Sequence, residues 1–134
     1  MADSKTVVER PLSPHLQIYA PSWTMVMSIM HRITGSALYF GTLIIAFWLI
    51  AASYSQSSFD LAQMVMGSII GQLVLLGYTW ALFHHMLGGI RHLIWDTGAG
   101  LEPVARRALA KYSLFGSLAL TAVVWATAFY IRAH

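Results

Sequence analysis

The sequence predicts an all-α membrane protein with three transmembrane helices. Of its 134 residues, 57% are hydrophobic and only 10% are charged, whereas a soluble domain carries about 25% charged residues. Three apolar runs are as long as the roughly 20 residues that a helix needs to cross a bilayer. They cover about 29–52, 62–90 and 112–131. By length, residues 1–134 form a single domain.

The segments outside these runs have the composition of connections. Residues 53–60 are a short polar stretch between the first two runs. In the second connection, Gly98 and Gly100 can end a helix and Pro103 suits the first turn of the next one. The amino-terminal segment 1–27 contains three prolines, which favour extended chain at the membrane surface.

The basic residues orient the spans, because Lys and Arg accumulate in cytoplasmic segments. The first connection has none, and the carboxyl-terminal tail has only Arg132. The others flank the first span or lie in and beside the second connection: Lys5, Arg10, Arg32, Arg91, Arg106, Arg107 and Lys111. The amino terminus and the second connection are therefore expected in the cytoplasm, with the carboxyl terminus on the opposite side. The start of the first span and the end of the second then lie at similar depth.

Composition excludes several classes of protein. The chain has no cysteine, so it holds no disulfide, no cysteine-ligated iron–sulfur cluster and no c-type haem attachment. No dense basic run indicates nucleic-acid binding. The first fifteen residues include Asp3 and Glu9 and lack an apolar core, so we expect neither a cleavable signal nor a transit peptide. This favours a bacterial inner membrane over a mitochondrial one.

The motif "SIMHRITG" places polar side chains at the start of the first span. Ser28, His31 and Arg32 lie at i, i+3 and i+4 and share one helix face, which Gly35 continues one turn deeper. Ionisable residues at this depth tend to face a bundle interior or a cavity. A hydroxyl and a guanidinium suit a carbonyl or carboxylate oxygen. The alternative is an arginine that extends to the membrane interface with a histidine beside it.

The motif "HHMLGGIRHLIWD" ends the second span. His85, Gly88, Gly89 and His92 form one stripe, which could offer an imidazole and a flat surface to a haem. The same stripe could instead serve close helix–helix packing, and the spacing leaves both open. His84 points about 100° away from His85, so one of the two faces the site and the other does not.

Arg91, His92 and Asp96 lie at the interfacial end of the same span. They could bind haem propionates, contact a peripheral protein or anchor the helix. Asp96 follows His92 by four residues, so a hydrogen bond within the helix is possible.

In order and spacing, "RPLSPHLQIY", "SIMHRITG" and "HMLGGIRHLIWD" resemble the cytochrome b membrane-anchor subunits of succinate dehydrogenase, respiratory complex II. The resemblance covers about residues 10–96, and the third span fits in length. It implies a single membrane-anchor domain without a catalytic residue for succinate oxidation. The resemblance further implies that a flavoprotein subunit oxidises succinate, and that an iron–sulfur subunit passes the electrons to ubiquinone at a site which this chain helps to form. A second small membrane-anchor subunit shares haem b.

The resemblance also implies roles for individual residues. His85, four residues before Gly89, matches the axial ligand of the haem iron, and the second ligand comes from the partner membrane subunit. His84 is an extra candidate, and His31 is a less favoured candidate for the second ligand.

Other positions match the quinone site and the ends of the haem. The resemblance places Ser28 and Arg32 in the ubiquinone site, with His31 and Arg32 near the haem propionates. Arg91, His92 and Asp96 are candidates for a subunit interface or a proton relay.

Three rival functions are weighed against this one. A fumarate-reductase-type quinone anchor with two haems needs more transmembrane histidines in a longer chain. A haemless anchor would use the glycine stripe only for packing. A small transporter or metal-handling protein would need polar groups across the membrane, but the middles of the first and third spans carry no ionisable residue, which argues against it.

Overall fold

The computed structural model describes residues 13–14, 18 and 20–134. Four helices make up this part of the chain: α1 (Trp23–Tyr54), α2 (Gln56–Gly67), α3 (Ile69–Asp96) and α4 (Pro103–Ala133). Three of them, α1, α3 and α4, are long and apolar enough to cross a membrane. The predicted all-α fold with three spans is confirmed. Most of the predicted surface segment 1–27 lies outside the described residues.

The predicted polar connection 53–60 is almost entirely helical, which is a correction to the sequence-based boundaries. Only Ser55 separates α1 from α2, and its side chain caps α2 by accepting a hydrogen bond from the backbone N–H of Ser58. The Ser53 hydroxyl donates to the carbonyl of Ile50, 2.9 Å away. The cap lets a helix restart within a polar stretch, because the serine oxygen satisfies a backbone N–H at the new helix start.

The second predicted span begins too early. Residues 62–67 belong to α2, and the helix is interrupted at Ser68. The side chain of Ser68 caps α3 by accepting a hydrogen bond from the backbone N–H of Gly71. Hydropathy cannot reveal this break, because apolar residues continue on both sides of it. The signal is the Gly-Ser pair, a weak helix former followed by a capping residue.

At the other end of α3, the predicted turn residues act as expected. Gly98 and Gly100 adopt positive φ angles of 81° and 72°, which glycine alone adopts without steric cost. Pro103 occupies the first turn of α4. Helix α4 starts at Pro103, well before the predicted start of the third span at 112. The basic residues between these positions are polar, but they are good helix formers.

Helix α3 packs against both α1 and α4. The contacting face of α4 carries small residues at i+3 and i+4 spacing: Ala110, Ser113, Ser117 and Thr121, all buried. The three hydroxyls donate to carbonyls within α4, so they need no partner on α3. Small residues let membrane helices approach closely, whereas most large apolar side chains point outward, as suits a surface covered by lipid.

Candidate functional site

Two histidines join the start of α1 to the end of α3. The rings of His31 and His85 stack with their centroids 4.1 Å apart and an interplanar angle of 12°. The Nε2–H of His31 donates to the carbonyl of His85, 3.2 Å away. The Nδ1–H of His85 donates to the carbonyl of His31 at 3.1 Å. Because a carbonyl can only accept, these bonds place a proton on the donor nitrogen of each ring.

Two glycines make room for the histidine pair. A Cβ atom added at Gly35 would lie 2.8 Å from Cε1 of His85, and one added at Gly88 would overlap the ring of His31. Each motif therefore supplies one histidine and the glycine that receives the ring from the opposite helix. Gly89, by contrast, has no neighbouring atom within 4 Å of the place of a Cβ. The predicted glycine stripe thus divides into one packing position and one open position.

The adjacent histidines of "HHML" have different environments. His84 is only 1% exposed, and its ring stacks on Trp80 with a centroid distance of 5.3 Å. His85 is half-buried at the contact with α1. Its Nε2 has no hydrogen-bond partner among the described residues. Of the two histidines, His85 therefore lies at the contact between α1 and α3.

The arrangement of the histidine pair disfavours His31 as a second ligand to the same iron. Two axial ligands point a ring nitrogen at each other across the metal. The rings of His31 and His85 instead lie face to face, and Nε2 of His31 is held by a carbonyl. A second ligand must come from elsewhere if His85 is the first.

Ser28 and Arg32 point away from the packed core of the chain. Both are exposed, and neither side chain makes a hydrogen bond within the described residues. His31 instead turns towards α3. The residues Ser28, His31 and Arg32, which were predicted to share one polar face, therefore point in two directions. One face contacts the chain itself, and the other, one turn long, offers a hydroxyl and a guanidinium to an external group.

The remaining predicted residues cluster around Trp95. Arg91 is 4% exposed and its guanidinium lies 5.2 Å from the centre of the Trp95 ring. The exposed ring of His92 meets Trp95 edge to face at 5.1 Å and lies 5.4 Å from the ring of His31. Asp96 is exposed. In the described part of the chain, no hydrogen bond joins His92 to Asp96, so the possible bond within the helix is not formed.

A buried polar row on α3 is the feature that sequence reasoning missed. Nε1 of Trp80, Nδ1 of His84 and Nε of Arg91 are all buried without a hydrogen-bond partner. Buried polar atoms of this kind are satisfied by ordered water or by another external group. Helical spacing could have predicted this row, because positions 80, 84 and 91 fall on one helix face.

Comparison with known proteins relates this chain to a family. The family model described as "Succinate dehydrogenase/Fumarate reductase transmembrane subunit" matches residues 6–124. The chain is 44% identical to the succinate dehydrogenase cytochrome b556 subunit of Paracoccus denitrificans over 111 residues, covering 83% of this chain and 85% of the relative. It is 38% identical to the cytochrome b556 subunit of Rickettsia conorii over 117 residues, covering 87% and 91%.

A mitochondrial relative is also similar. The succinate dehydrogenase cytochrome b560 subunit of Bos taurus is 37% identical over 98 residues, which cover 72% of this chain and 58% of the bovine protein. The three spans and the bacterial relatives support a multi-pass bacterial membrane protein. The chain belongs to the family of succinate dehydrogenase/fumarate reductase transmembrane subunits, as a cytochrome b-type membrane anchor.

Proposed function

We propose that the chain binds haem b together with a second small membrane-anchor subunit. With the iron–sulfur subunit, it forms the site where ubiquinone accepts electrons from succinate oxidation by the flavoprotein subunit. The complex lies in the bacterial inner membrane, with the amino terminus of this chain in the cytoplasm. The environment of His85 is the observation that supports this function best.

The residues around His85 fit an axial haem ligand. Metal-ligating histidines donate their second ring N–H to a carbonyl or carboxylate, which fixes the tautomer and the ring orientation. The Nδ1–H of His85 donates to the carbonyl of His31, which leaves the lone pair of Nε2 for iron. When bound there, haem would supply one-electron storage. The Nε2–H of His31 donates to a carbonyl, and the ring of His84 is buried against Trp80. As the resemblance to this family implies, we assign the second ligand to the partner membrane subunit.

A substitution at Gly89 tests where the proposed haem approaches α3. Gly89 lies about 40° from His85 on an ideal helix, and the space beside it is open. We expect Gly89→Leu to lower the haem content of the assembled complex severalfold, because a side chain there would fill the open space one helical turn from His85. The ratio of haem to flavin in the purified complex measures this. The control is Gly77→Leu, another α3 glycine with open surroundings, and equal haem loss in both variants would contradict the assignment.

Ser28 and Arg32 supply the groups that quinone reduction needs. A quinone oxygen gains negative charge as it accepts electrons, and donors fixed beside it stabilise that charge. The Arg32 guanidinium offers several N–H donors in a planar arrangement, and the Ser28 hydroxyl can donate a hydrogen bond to the same oxygen. Both side chains are exposed and free of hydrogen bonds within the described chain. They are therefore available to a quinone bound between subunits.

Removing either donor is expected to uncouple quinone reduction from succinate oxidation. We expect Arg32→Leu to slow quinone reduction by about a hundredfold or more, in line with the loss of one donor to a developing oxyanion. Ser28→Ala should slow it as well, but less, because the charged donor remains. Succinate oxidation with a soluble dye as acceptor, which does not use the quinone site, should stay unchanged.

Ser36→Ala is the matched control for Ser28→Ala, because Ser36 is also an exposed serine of α1. It should leave both activities as they are. Unaltered quinone reduction in Ser28→Ala and Arg32→Leu would contradict the proposed quinone site.

Arg91, His92 and Asp96 complete the cytoplasmic end of the site. Two of these groups, His92 and Asp96, are exposed at the end of α3, and the ring of His92 lies 5.4 Å from the ring of His31. In the proposed complex these two side chains meet the iron–sulfur subunit or exchange protons with the quinone site. Arg91 is held against Trp95 and supports the end of the helix.

A further inference from the structure

A basic pocket at the start of α4 takes no part in the proposed function. It has a volume of about 380 Å³ and lies on one face of the first turns of the helix; its lining residues are Val104, Arg107, Ala108, Lys111 and Tyr112. The neighbouring Arg106 is exposed, as are Arg107 and Lys111. Three cations thus lie within two turns of one helix.

The charges of this pocket have no counterion in the described part of the chain. No ion pair joins Arg106, Arg107 or Lys111 to a carboxylate there. The Nε–H of Arg107 donates to the carbonyl of Pro103 at 3.2 Å. This bond holds the guanidinium against its own helix and leaves its two terminal nitrogens unbonded. Like charges at this spacing repel one another, so an anion bound between them would be stabilised.

The pocket lies where the polar part of α4 gives way to the part that spans the membrane. Tyr112 is 72% exposed, and Phe115, one turn further along, is 63% exposed. Tyrosine is enriched at the level of lipid headgroups. From Arg107 to Phe115 the helix surface therefore changes from cationic to apolar in the direction in which a phospholipid changes from headgroup to acyl chain.

We propose that this pocket binds the headgroup of an anionic phospholipid. The terminal nitrogens of Arg107 and the ammonium of Lys111 contact the phosphodiester oxygens, and the acyl chains follow Tyr112 and Phe115. With the cytoplasmic orientation of the proposed function, on which this inference rests, basic residues beside the start of a membrane helix attract such headgroups. A soluble phosphate would use only the two cations, whereas a phospholipid uses the apolar part of the pocket as well.

The test measures lipid selectivity of the intact complex in nanodiscs of phosphatidylcholine. Spin-labelled phosphatidylglycerol and spin-labelled phosphatidylcholine are added separately, and electron paramagnetic resonance gives the fraction of each that is immobilised by protein. A basic side chain near the membrane surface contributes about 1 kcal/mol, which corresponds to about fivefold in binding. We expect Arg107→Gln/Lys111→Gln to lower the selectivity for phosphatidylglycerol by at least about fivefold.

Arg132→Gln is the matched control, because Arg132 is a basic residue at the opposite end of the same helix. It should leave the selectivity unchanged. Unaltered selectivity in the double variant, or an equal loss in both variants, would overturn the site. Displacement of the labelled lipid by soluble glycerol phosphate at millimolar concentration would also overturn it, since that would show a simple anion site. Loss of a soluble subunit from the double variant during purification, with selectivity unaltered, would show a protein-docking surface instead.

Discussion

Replacing His85 with alanine is expected to abolish the b-type absorbance of the assembled complex. The spectrum to record is dithionite-reduced minus oxidised, for the purified native complex beside the variant. The expectation follows from the position of the His85 ring. Its Nδ1–H donates a hydrogen bond to the carbonyl of His31, and its Nε2 has no hydrogen-bond partner among the described residues. Haem iron without this ligand would bind weakly. Adding imidazole to the variant should restore part of the signal, because the free base can occupy the space left by the side chain.

Three controls give the His85→Ala result its meaning. The signal is normalised to flavin, so that loss of haem is separated from loss of assembled complex. His92→Ala changes an exposed histidine on the same helix and should keep the spectrum. An undiminished signal in His85→Ala would contradict the assignment and direct attention to His84 or His31. A native complex without any b-type signal would favour a haemless anchor.

The architecture was predictable because it depends on averages over many residues. Three apolar runs of sufficient length predict three spans whatever the details of packing, and α1, α3 and α4 confirm them. The break at Ser68 depends on two residues inside an apolar stretch, so a window average hides it. The helical course of residues 56–60 depends on serine caps, which a polar composition does not distinguish from a loop.

The candidate site was predictable in part. Helical spacing and the positive-inside rule brought "SIMHR" and "HHMLGGIRH" to the same depth, and the stacked pair of His31 and His85 is where the two motifs meet. Helical spacing could not show whether Gly88 and Gly89 leave room for a haem or for another helix, because that depends on how the neighbouring helix packs. Gly88 receives His31, whereas Gly89 stays open.

The buried row of Trp80, His84 and Arg91 shows a different limit of sequence reasoning. Arginine is almost never fully buried unless it is paired, and histidine and tryptophan are intermediate, so a histidine next to a stronger candidate is easily left without a role. The burial of these side chains depends on how α3 packs against its neighbouring helices, which is a property of the assembled bundle. The three unpaired atoms indicate that the inside of this anchor is more polar than its apolar surface suggests.

Substituting Gly88 with alanine is expected to destabilise the anchor, although alanine is the better helix former. In an exposed helix, Gly→Ala gains about 0.8–1.0 kcal/mol from propensity. At Gly88 the new Cβ would overlap the ring of His31, and forcing an extra carbon into a filled contact costs about 1–3 kcal/mol. The ring of His31 would also lose its bond to the carbonyl of His85, worth about 1 kcal/mol. The costs together exceed the gain, so the purified complex should dissociate at a lower temperature.

The matched control is Gly77→Ala, a substitution on the same helix with no atom within 4 Å of the new Cβ. It should leave the dissociation temperature unchanged or raise it. A double-mutant cycle then tests the cause, because the clash needs the His31 ring. In the background of His31→Ala, Gly88→Ala should cost nothing further. If Gly88→Ala destabilises the complex equally with and without the imidazole of His31, the reciprocal packing of the two motifs is not what makes glycine necessary at this position.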